Sequence, residues 1–386
     1  MSNEPLRPAA YRLRLPGPSP VPEQVRQAIA EPVINHRGPE FHALFHETIA
    51  LARPLFGTSG DVLLFAASGT GVMEAAIANV VAPGERVLIA INGQFGERFK
   101  AIAEAFGAAV DTIDCDWGTA PEPQEIARHL AGADYRAVFV THNESSTGAV
   151  ADLAAIGAVV KDSKALLVVD SVSGLAGIEL QQEKWHLDIV VTASQKALMC
   201  PPGMGLASVS AKAWAAIERS SGGARFFWDF RKAKAALEKD ESAFTPPVSL
   251  VAGLRTALRM IHREGLPEVF ERHRRLGAAL RAGGEALGLP VFTRAPLLSP
   301  TVSVFAMPDT LEGGTLVRHL YQHYNTVIAG ARNRLQGKVI RIGTMGHVDG
   351  PDILADLHYL ERSLADLGRP VRAGAGVAAA AAVLAQ

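Results

Sequence analysis

The sequence predicts an α/β fold whose main sheet is mostly parallel, followed by a smaller C-terminal α+β unit. Between residues 21 and 211, short β-branched runs alternate with stretches of helical periodicity. Such alternation is typical of a parallel sheet with helices on both faces. The chain has 386 residues, of which 48% are hydrophobic, so it is long enough to bury two cores.

Seven apolar runs are the strand candidates of the larger unit. They lie at residues 62–65, 86–90, 109–113, 137–140, 166–169, 189–191 and 206–209. Helical spacing of apolar residues predicts helices between them at residues 71–80, 95–106, 121–130 and 152–164. The larger unit is therefore expected to hold a seven-stranded sheet.

Further along the chain, helical patterns at residues 248–262 and 267–287 lead into the smaller unit. Its predicted strands are residues 302–305, 327–328 and 339–342, and its predicted helices are residues 316–323 and 352–367. The organisation expected is an N-terminal segment 1–20, a large domain 21–264, a small domain 265–372 and an Ala-rich tail 373–386. A weak helix and a frayed end both remain open for the tail.

Composition favours small-molecule chemistry. The 38 Lys and Arg residues are balanced by 39 Asp and Glu, which argues against a nucleic-acid partner. Cys115 and Cys200 form no CxxC motif, and His42 and His46 lack a third ligand, so neither a disulfide framework nor a metal site is expected. No apolar run approaches the ~20 residues of a membrane span. We therefore expect a cytoplasmic protein that does not bind membranes.

Lys196 is the first candidate functional residue. It follows the apolar run 189–191 within Ser194-Gln195-Lys196 and precedes a Pro-Pro-Gly loop. Strand ends in α/β folds are where ligands bind, and an amine shielded from water can act as a nucleophile. On spacing alone, an ordinary solvated lysine stays an equal alternative.

The turn Ser68-Gly69-Thr70 follows the first strand of the sheet and opens a helix. Backbone N–H groups and the helix dipole at such a turn favour an anion such as phosphate, although a simple helix cap fits equally well. Two nucleotide motifs fail, because no lysine appears before Lys100 and position 74 is Glu74 instead of the third glycine of a dinucleotide fingerprint. The alternative hypothesis of a nucleotide-binding oxidoreductase is therefore less favoured.

Asp170 ends the apolar run 166–169, so its carboxylate is expected in the ligand crevice, where it needs a cationic partner. It precedes Lys196 by 26 residues, enough for one short crossover between neighbouring strands. Pyridoxal 5′-phosphate requires three features: a carboxylate beside its pyridinium nitrogen, a lysine at its aldehyde and a helix N-terminus at its phosphate. The three features together indicate this cofactor.

Several motifs in one order carry a family resemblance. They are Pro16-Gly-Pro-Ser19, Ser68-Gly-Thr70, Asn92-Gly-Gln-Phe-Gly96, Thr141-His-Asn-Glu-Ser-Ser-Thr-Gly148, Val169-Asp-Ser-Val172, Ser194-Gln-Lys-Ala-Leu198, Pro201-Pro-Gly203 and Arg341-Ile-Gly343. From residue 16 to residue 346 the chain resembles the class V aminotransferases that depend on pyridoxal phosphate. The alanine–glyoxylate and serine–glyoxylate enzymes are the nearest type. The resemblance implies fold type I of the pyridoxal-phosphate-dependent transferases.

The resemblance also implies roles for the cofactor-binding residues. Lys196 would form a Schiff base with the cofactor and, once released, carry a proton during catalysis. Asp170 would keep the pyridine nitrogen protonated. The phosphate would be held by four residues, Ser68, Gly69, Thr70 and Gln195.

Four further residues have implied roles. Phe95 occupies the position where relatives commonly stack a Trp on the pyridine ring, and Ser145 would hydrogen-bond the cofactor near its phenolic oxygen. Arg341 would grip the substrate carboxylate. Thr245 matches a threonine that reaches the phosphate of the partner subunit, although Phe244 precedes it where relatives often have a nearby Tyr. A homodimer is therefore expected.

The function implied is transfer of an amino group from alanine or serine to glyoxylate or pyruvate by a ping-pong mechanism. A small substrate is favoured because only Arg341 matches a carboxylate clamp, although Arg37 or Arg14 could supply a second one. A lyase or desulfurase of the same fold is an alternative. Such enzymes usually carry a His at the position of Gln195 and a later nucleophilic Cys, and no Cys follows Cys200. A noncatalytic binding protein of this fold is a further alternative.

Overall fold

A computed structural model describes residues 11–219 and 224–386 of the chain. Its strands are β1 (Arg12–Leu13), β2 (Asp61–Ala67), β3 (Arg86–Ile91), β4 (Ala109–Asp114), β5 (Ala137–Thr141), β6 (Asn143–Glu144), β7 (Ala149–Val150), β8 (Leu166–Asp170), β9 (Ile189–Ala193), β10 (Gly203–Val209), β11 (Val302–Ala306), β12 (Thr326–Val327), β13 (Ala329–Gly330) and β14 (Val339–Gly343). Its helices are α1 (Glu23–Ala30), α2 (Pro39–Phe56), α3 (Gly69–Val80), α4 (Gln94–Ala105), α5 (Pro123–Gly132), α6 (Leu153–Val160), α7 (Ala211–Arg219), α8 (Phe230–Leu237), α9 (Val248–Glu264), α10 (Leu266–Ala286), α11 (Gly313–Tyr324), α12 (Gly350–Asp366) and α13 (Ala375–Leu384), with a 3-10 turn at Asn333–Leu335.

The large domain is built on a seven-stranded sheet in the order β2-β10-β9-β8-β5-β3-β4. Neighbouring strands from β9 through β4 pair in parallel, whereas β10 runs antiparallel to both β2 and β9. Each of the seven predicted strands lies in this sheet, so the predicted sheet is confirmed. The interior strands β5, β8 and β9 are buried along their whole length, which explains why the sequence reads there as continuous apolar runs.

Helices cover both faces of the large sheet. Side chains of α3, α4, α7 and α8 pack in one buried cluster, and those of α1, α2, α5, α6 and α9 pack in another. Alternate strand residues enter the two clusters: Val138 and Val140 face one, and Ala137 and Phe139 face the other. The sheet is therefore the middle layer of three.

Helix α2 is an element that the sequence analysis did not predict. Its buried residues Phe41, Leu44, Phe45 and Ile49 follow helical spacing, and Pro39 begins its first turn. A second proline, Pro54, lies inside the last turn and obscures the pattern. The helical signal is present in the sequence, but no helix was predicted for these residues.

The small domain contains the three-stranded antiparallel sheet β11-β14-β13, covered by α10, α11, α12 and α13. The predicted strand 327–328 corresponds to β12 (Thr326–Val327), one residue earlier in the chain, and β12 pairs in parallel with β1 outside this sheet. The neighbouring β13 (Ala329–Gly330) was not predicted. Two-residue strands are too short to show an alternating pattern, which accounts for both differences.

The Ala-rich tail forms a packed helix, α13, in which Ala380 is fully buried. Close approach to α10 explains its composition: a Cβ atom added at Gly283 would lie 2.8 Å from the carbonyl oxygen of Gly376. Small side chains allow this contact and favour the helix. Of the two alternatives left open for residues 373–386, the structure has the helix.

The N-terminal segment connects the two domains. Its first ten residues lie outside the described part of the chain, and β1 then pairs with β12 in the small domain. The chain continues to Ser19, whose N–H donates to the carbonyl of Gln195 at 3.0 Å in the large domain. Within the described residues, no helix is both long and apolar enough to span a bilayer.

Candidate active site

The carboxyl ends of neighbouring strands bring the main predicted residues together. Asp170 is the last residue of β8, and Lys196 lies in the short connection that follows β9. Because β8 and β9 are adjacent and parallel, with Asp170 opposite Val191, both side chains lie at the same edge of the sheet. The helix α3 begins at that edge too, directly after β2.

Lys196 is a buried amine, only 9% exposed, that donates a hydrogen bond to the carbonyl oxygen of Pro16. Burial lowers the pKa of Lys196 to about 8; the Asp170 carboxylate opposes this shift, and Arg341 and Arg98 add to it. Part of the amine is therefore neutral near physiological pH. A neutral amine is the form that attacks an aldehyde.

Asp170 is buried with only one oxygen engaged. Its Oδ1 accepts a hydrogen bond from the N–H of Val172 at 2.8 Å, and Oδ2 has no partner among the described residues. Burial raises the pKa of Asp170 to about 6, against the Val172 hydrogen bond, and the Glu144 charge raises it further. A cation brought next to Oδ2 would therefore stabilise this carboxylate.

The turn before α3 offers an anion site. Ser68 caps the helix, since its Oγ accepts from the N–H of Gly71 at 3.3 Å. In the described structure the N–H groups of Gly69 and Thr70 meet no protein acceptor, as expected for a first helical turn. The side-chain amide of Gln195 is unpaired among the described residues: its oxygen is buried without a partner, and its NH2 group, the donor that a phosphate would need, bonds to none of them. These residues fit a phosphate group.

Arg98 belongs to the same site and was missed by the sequence analysis. Its Nη1 donates to the Thr70 hydroxyl at 3.1 Å, and its guanidinium carbon lies 4.6 Å from the centre of the Phe95 ring. Arg98 thus links the predicted ring-stacking residue to the predicted phosphate turn. A local signal existed, because residues three apart share a face of a helix such as α4.

Glu144, for which the sequence suggests a structural and no catalytic role, fixes the start of α4. One carboxylate oxygen accepts from the N–H groups of Phe95 at 2.8 Å and Gly96 at 3.3 Å, and the other accepts from the Ser146 hydroxyl at 2.6 Å. Burial raises the pKa of Glu144, whereas these hydrogen bonds oppose the shift. An acid at a helix N-terminus is stabilised by the helix dipole. Glu144 therefore positions Phe95.

Arg341 extends from β14 of the small domain to this site. Its Nε donates to the carbonyl of Gly330 at 2.9 Å, and its Nη1 donates to the carbonyl of Ser145 at 3.0 Å. Burial lowers the pKa of Arg341, and the charge of Glu144 opposes that shift. Neither Nη2 of Arg341 nor the Ser145 hydroxyl bonds to protein among residues 11–219 and 224–386, so both can meet a ligand.

Thr245 is exposed, and no contact with the residues above is seen in the described chain. The preceding Phe244 stacks on Phe227, with ring centres 5.2 Å apart. Phe227 is 40% exposed and its neighbour Phe226 is 70% exposed, so Thr245 lies beside an exposed aromatic surface. The structure does not bring Thr245 to the site of its own chain.

The two arginines considered as a second carboxylate clamp are already paired. Arg14 is buried, and its Nε donates to Asp356 at 2.6 Å, so the expectation that it could bind substrate is wrong. Arg37 donates to Glu241 and, at 3.0 Å, to the carbonyl of Ser242. Neither guanidinium is available within this chain without losing an ion pair.

The two histidines of α2 are paired as well. His42 contacts Glu241 at 3.2 Å, and His46 contacts Asp240 at 2.9 Å. Each histidine meets a different carboxylate. These contacts account for both side chains as links between α2 and the segment that follows α8.

The arrangement fits pyridoxal phosphate on three separate counts: a buried amine with a lowered pKa, a buried carboxylate with one free oxygen, and an anion site at a helix N-terminus. Lys196 could hold the aldehyde carbon, Asp170 the ring nitrogen and the turn at Ser68 the phosphate. Chemically, such a site can activate the bond to hydrogen at the α-carbon of an amino acid.

Comparison with known proteins agrees with this geometry. The family model described as aminotransferase class-V matches residues 16–313. Among curated relatives, the soluble hydrogenase 42 kDa subunit of Anabaena cylindrica is 39% identical, with 96% of this chain and 98% of the relative aligned. The L-aspartate–glyoxylate aminotransferase of Paracoccus denitrificans is 36% identical over 95% and 94% of the two chains. The serine–glyoxylate aminotransferase of Methylorubrum extorquens is 34% identical over 98% and 97%.

A solved structure carries the same fold. The ureidoglycine–glyoxylate aminotransferase of Bacillus subtilis superposes with a TM-score of 0.93 at 30% identity, covering 99% of this chain and all of that one. The predicted fold type I architecture is thus confirmed. Since the family match extends over most of the chain and the strand-end residues fit the cofactor of that family, the chain belongs to the class V aminotransferases, which are pyridoxal-phosphate-dependent enzymes.

Proposed function

We propose that the enzyme transfers the amino group of a small amino acid, alanine or serine, to glyoxylate or pyruvate, using pyridoxal phosphate bound to Lys196. The observation that carries the proposal is the buried Lys196 amine, which lies at the same carboxyl edge of the sheet as Asp170 and within range of its charge. The relative named for serine transfer to glyoxylate supports this donor, and the relatives named for serine and for aspartate both support glyoxylate as the acceptor.

Each residue has a defined task in this proposal. When bound, pyridoxal phosphate supplies an aldehyde that takes up the amino group and a ring that delocalises negative charge from the α-carbon. Lys196 binds the aldehyde carbon and, once released, moves a proton at the α-carbon. Asp170 holds a proton on the ring nitrogen through its free Oδ2. The turn from Ser68 to Thr70 and Gln195 bind the phosphate, and Phe95 packs on the ring.

Substrate size follows from the arginines of the site. Arg341 binds the α-carboxylate through Nη2, and its position is fixed by the carbonyls of Gly330 and Ser145. Arg14 and Arg37 already have acidic partners, so neither adds a second clamp within this chain. The exposed Arg332 lies near enough to contribute to the lowered pKa of Arg341. Arg332 is therefore the residue to test if a dicarboxylic donor proves better.

The decisive experiment is a donor screen on the cofactor-loaded enzyme. Each amino acid is added alone, and loss of the absorption near ~420 nm from the lysine Schiff base reports the first half of a ping-pong cycle. We expect alanine or serine to remove the band faster than aspartate does. Glyoxylate or pyruvate, added afterwards, should restore it. A faster reaction with aspartate would refute the small-donor proposal. The Lys196→Ala variant is the control and should show no turnover.

We further propose a homodimer in which Thr245 binds the phosphate in the partner subunit. The exposed Thr245 and the exposed aromatic surface of Phe226 and Phe227 support this interface. Sedimentation of the wild type should give a dimer. Thr245→Ala should weaken cofactor binding without altering the dimer, and a monomeric wild type would contradict the proposal. A cytoplasmic location remains a prediction.

A further inference from the structure

Residues 14–19, which we call the N-terminal strap, cross directly over Lys196. At one end, the carbonyl of Arg14 accepts from the N–H of Gly343 at 2.8 Å, and Gly343 ends the strand β14 that carries Arg341. At the other end, the Ser19 hydroxyl donates to the carbonyl of Lys196 at 2.6 Å. In between, the Pro16 carbonyl accepts from the Lys196 amine. The strap therefore contacts both the main chain and the side chain of Lys196.

Gly17 makes this contact possible. A Cβ atom added there would lie 2.5 Å from Cδ and 2.6 Å from Cε of Lys196, and nearer still to Nζ. Atoms of a real side chain do not approach so closely, so any other residue would displace the lysine or the strap. The backbone φ of Gly17 is +111°, which also disfavours other residues.

We propose that the N-terminal strap positions the catalytic amine: the Pro16 carbonyl orients Lys196 whenever its amine is not bonded to the cofactor, and Gly17 permits the approach. This inference rests on the proposed function of Lys196. A free lysine side chain samples many rotamers, and proton transfer requires one narrow geometry. A hydrogen bond at Nζ restricts that sampling while leaving the amine in the site.

The strap also relates the amine to the substrate clamp. Gly343 lies two residues after Arg341, and a Cβ atom at Gly343 would collide with the carbonyl of Leu15. One short segment thus contacts the strand that holds the clamp and the loop that holds the amine. The distance between the two functional groups depends on the strap keeping this conformation.

The test compares Gly17→Ala with Gly84→Ala. Gly84 has a similarly unfavourable φ of +83°, but a Cβ atom there would meet nothing within 4 Å, so it controls for backbone strain alone. The first measurement is the rate at which apoprotein forms the lysine Schiff base with added pyridoxal phosphate. The second is the pair of steady-state constants kcat and KM for the amino donor, which shows whether turnover or donor binding is impaired.

We expect Gly17→Ala to lower both the Schiff-base rate and kcat by about 100-fold, with the donor KM within about twofold of wild type. Gly84→Ala should keep wild-type values. If Gly17→Ala does not fold, Ser19→Ala, which removes the hydrogen bond to the Lys196 carbonyl, should lower kcat by about tenfold. Wild-type rates in a folded Gly17→Ala would overturn the inference. If Gly17→Ala does not fold, wild-type rates in Ser19→Ala would overturn it. A wild type that forms no Schiff base would instead refute the proposed function.

Discussion

The lowered pKa of Lys196 gives a quantitative prediction about cofactor uptake. With a pKa of about 8, roughly one tenth of the amine is neutral at pH 7, whereas for an ordinary lysine the fraction is roughly one in 3,000. Since only the neutral amine attacks the aldehyde, the rate of Schiff-base formation should follow this fraction. Between pH 7 and pH 9 the rate should rise about tenfold and then level off, with its midpoint near pH 8.

The assay mixes apoprotein with saturating pyridoxal phosphate at each pH and follows the Schiff-base absorption in a stopped-flow instrument. The same series with Nα-acetyllysine corrects for titration of the cofactor itself. Asp170→Asn provides a second check, because the Asp170 charge holds the pKa of Lys196 up. The midpoint of this variant should therefore lie below that of wild type. A rate that still climbs about tenfold per pH unit beyond pH 9 would show an ordinary lysine and refute the reasoning.

Three further measurements, on Asp170→Asn, Arg341→Lys and Arg98→Gln, test the site. Asp170→Asn should stabilise the apoprotein at pH 7 by up to about 3 kcal/mol in urea unfolding. The reason is that the folded protein raises the pKa of Asp170 to about 6. Such a carboxyl contributes stability below pH 4, and this contribution is lost as the pH rises through 6. Equal stabilisation at pH 4 would contradict this. Arg341→Lys should lower kcat/KM for the donor about 100-fold, mainly through KM, since the ammonium cannot reproduce the guanidinium contacts; a change in kcat alone would argue against a carboxylate clamp. Arg98→Gln should weaken pyridoxal phosphate about tenfold in equilibrium titration. Unchanged affinity would remove Arg98 from the cofactor site.

The parts of the fold that the sequence predicted are those with a local signal. Runs such as Leu166 to Val169 are apolar throughout because both faces of the sheet are covered, and the polar residue that ends such a run stands out. Asp170 was found in that way, and Lys196 by the same reasoning at the next strand. The apolar runs therefore predicted the sheet, and the polar residues that follow two of them predicted the two central residues of the proposed site.

The features that were missed depend on contacts between distant parts of the chain. Pro16 and Lys196 are 180 residues apart, and Arg14 and Asp356 are 342 residues apart. The motifs that contain Pro16 and Lys196 do not indicate that the two residues touch, and nothing in the sequence around Arg14 indicates an acidic partner. Arg14 was therefore considered as a second clamp, whereas it is a buried ion-pair partner. For Glu144 the sequence favours a structural carboxylate, but its partners could not be predicted, because its hydrogen bonds to the start of α4 form only when β5 and α4 are packed together.

The single reversed strand of the large sheet constrains how the site can move. Because β10 is antiparallel to β9, the chain returns through residues 194–202 alone, without the helical crossover that parallel neighbours need. Main-chain hydrogen bonds from Ser194 to Met204 and from Cys200 to Ser194 close this connection on itself. So short a tether leaves Lys196 only its own side-chain torsions for swinging between cofactor and substrate.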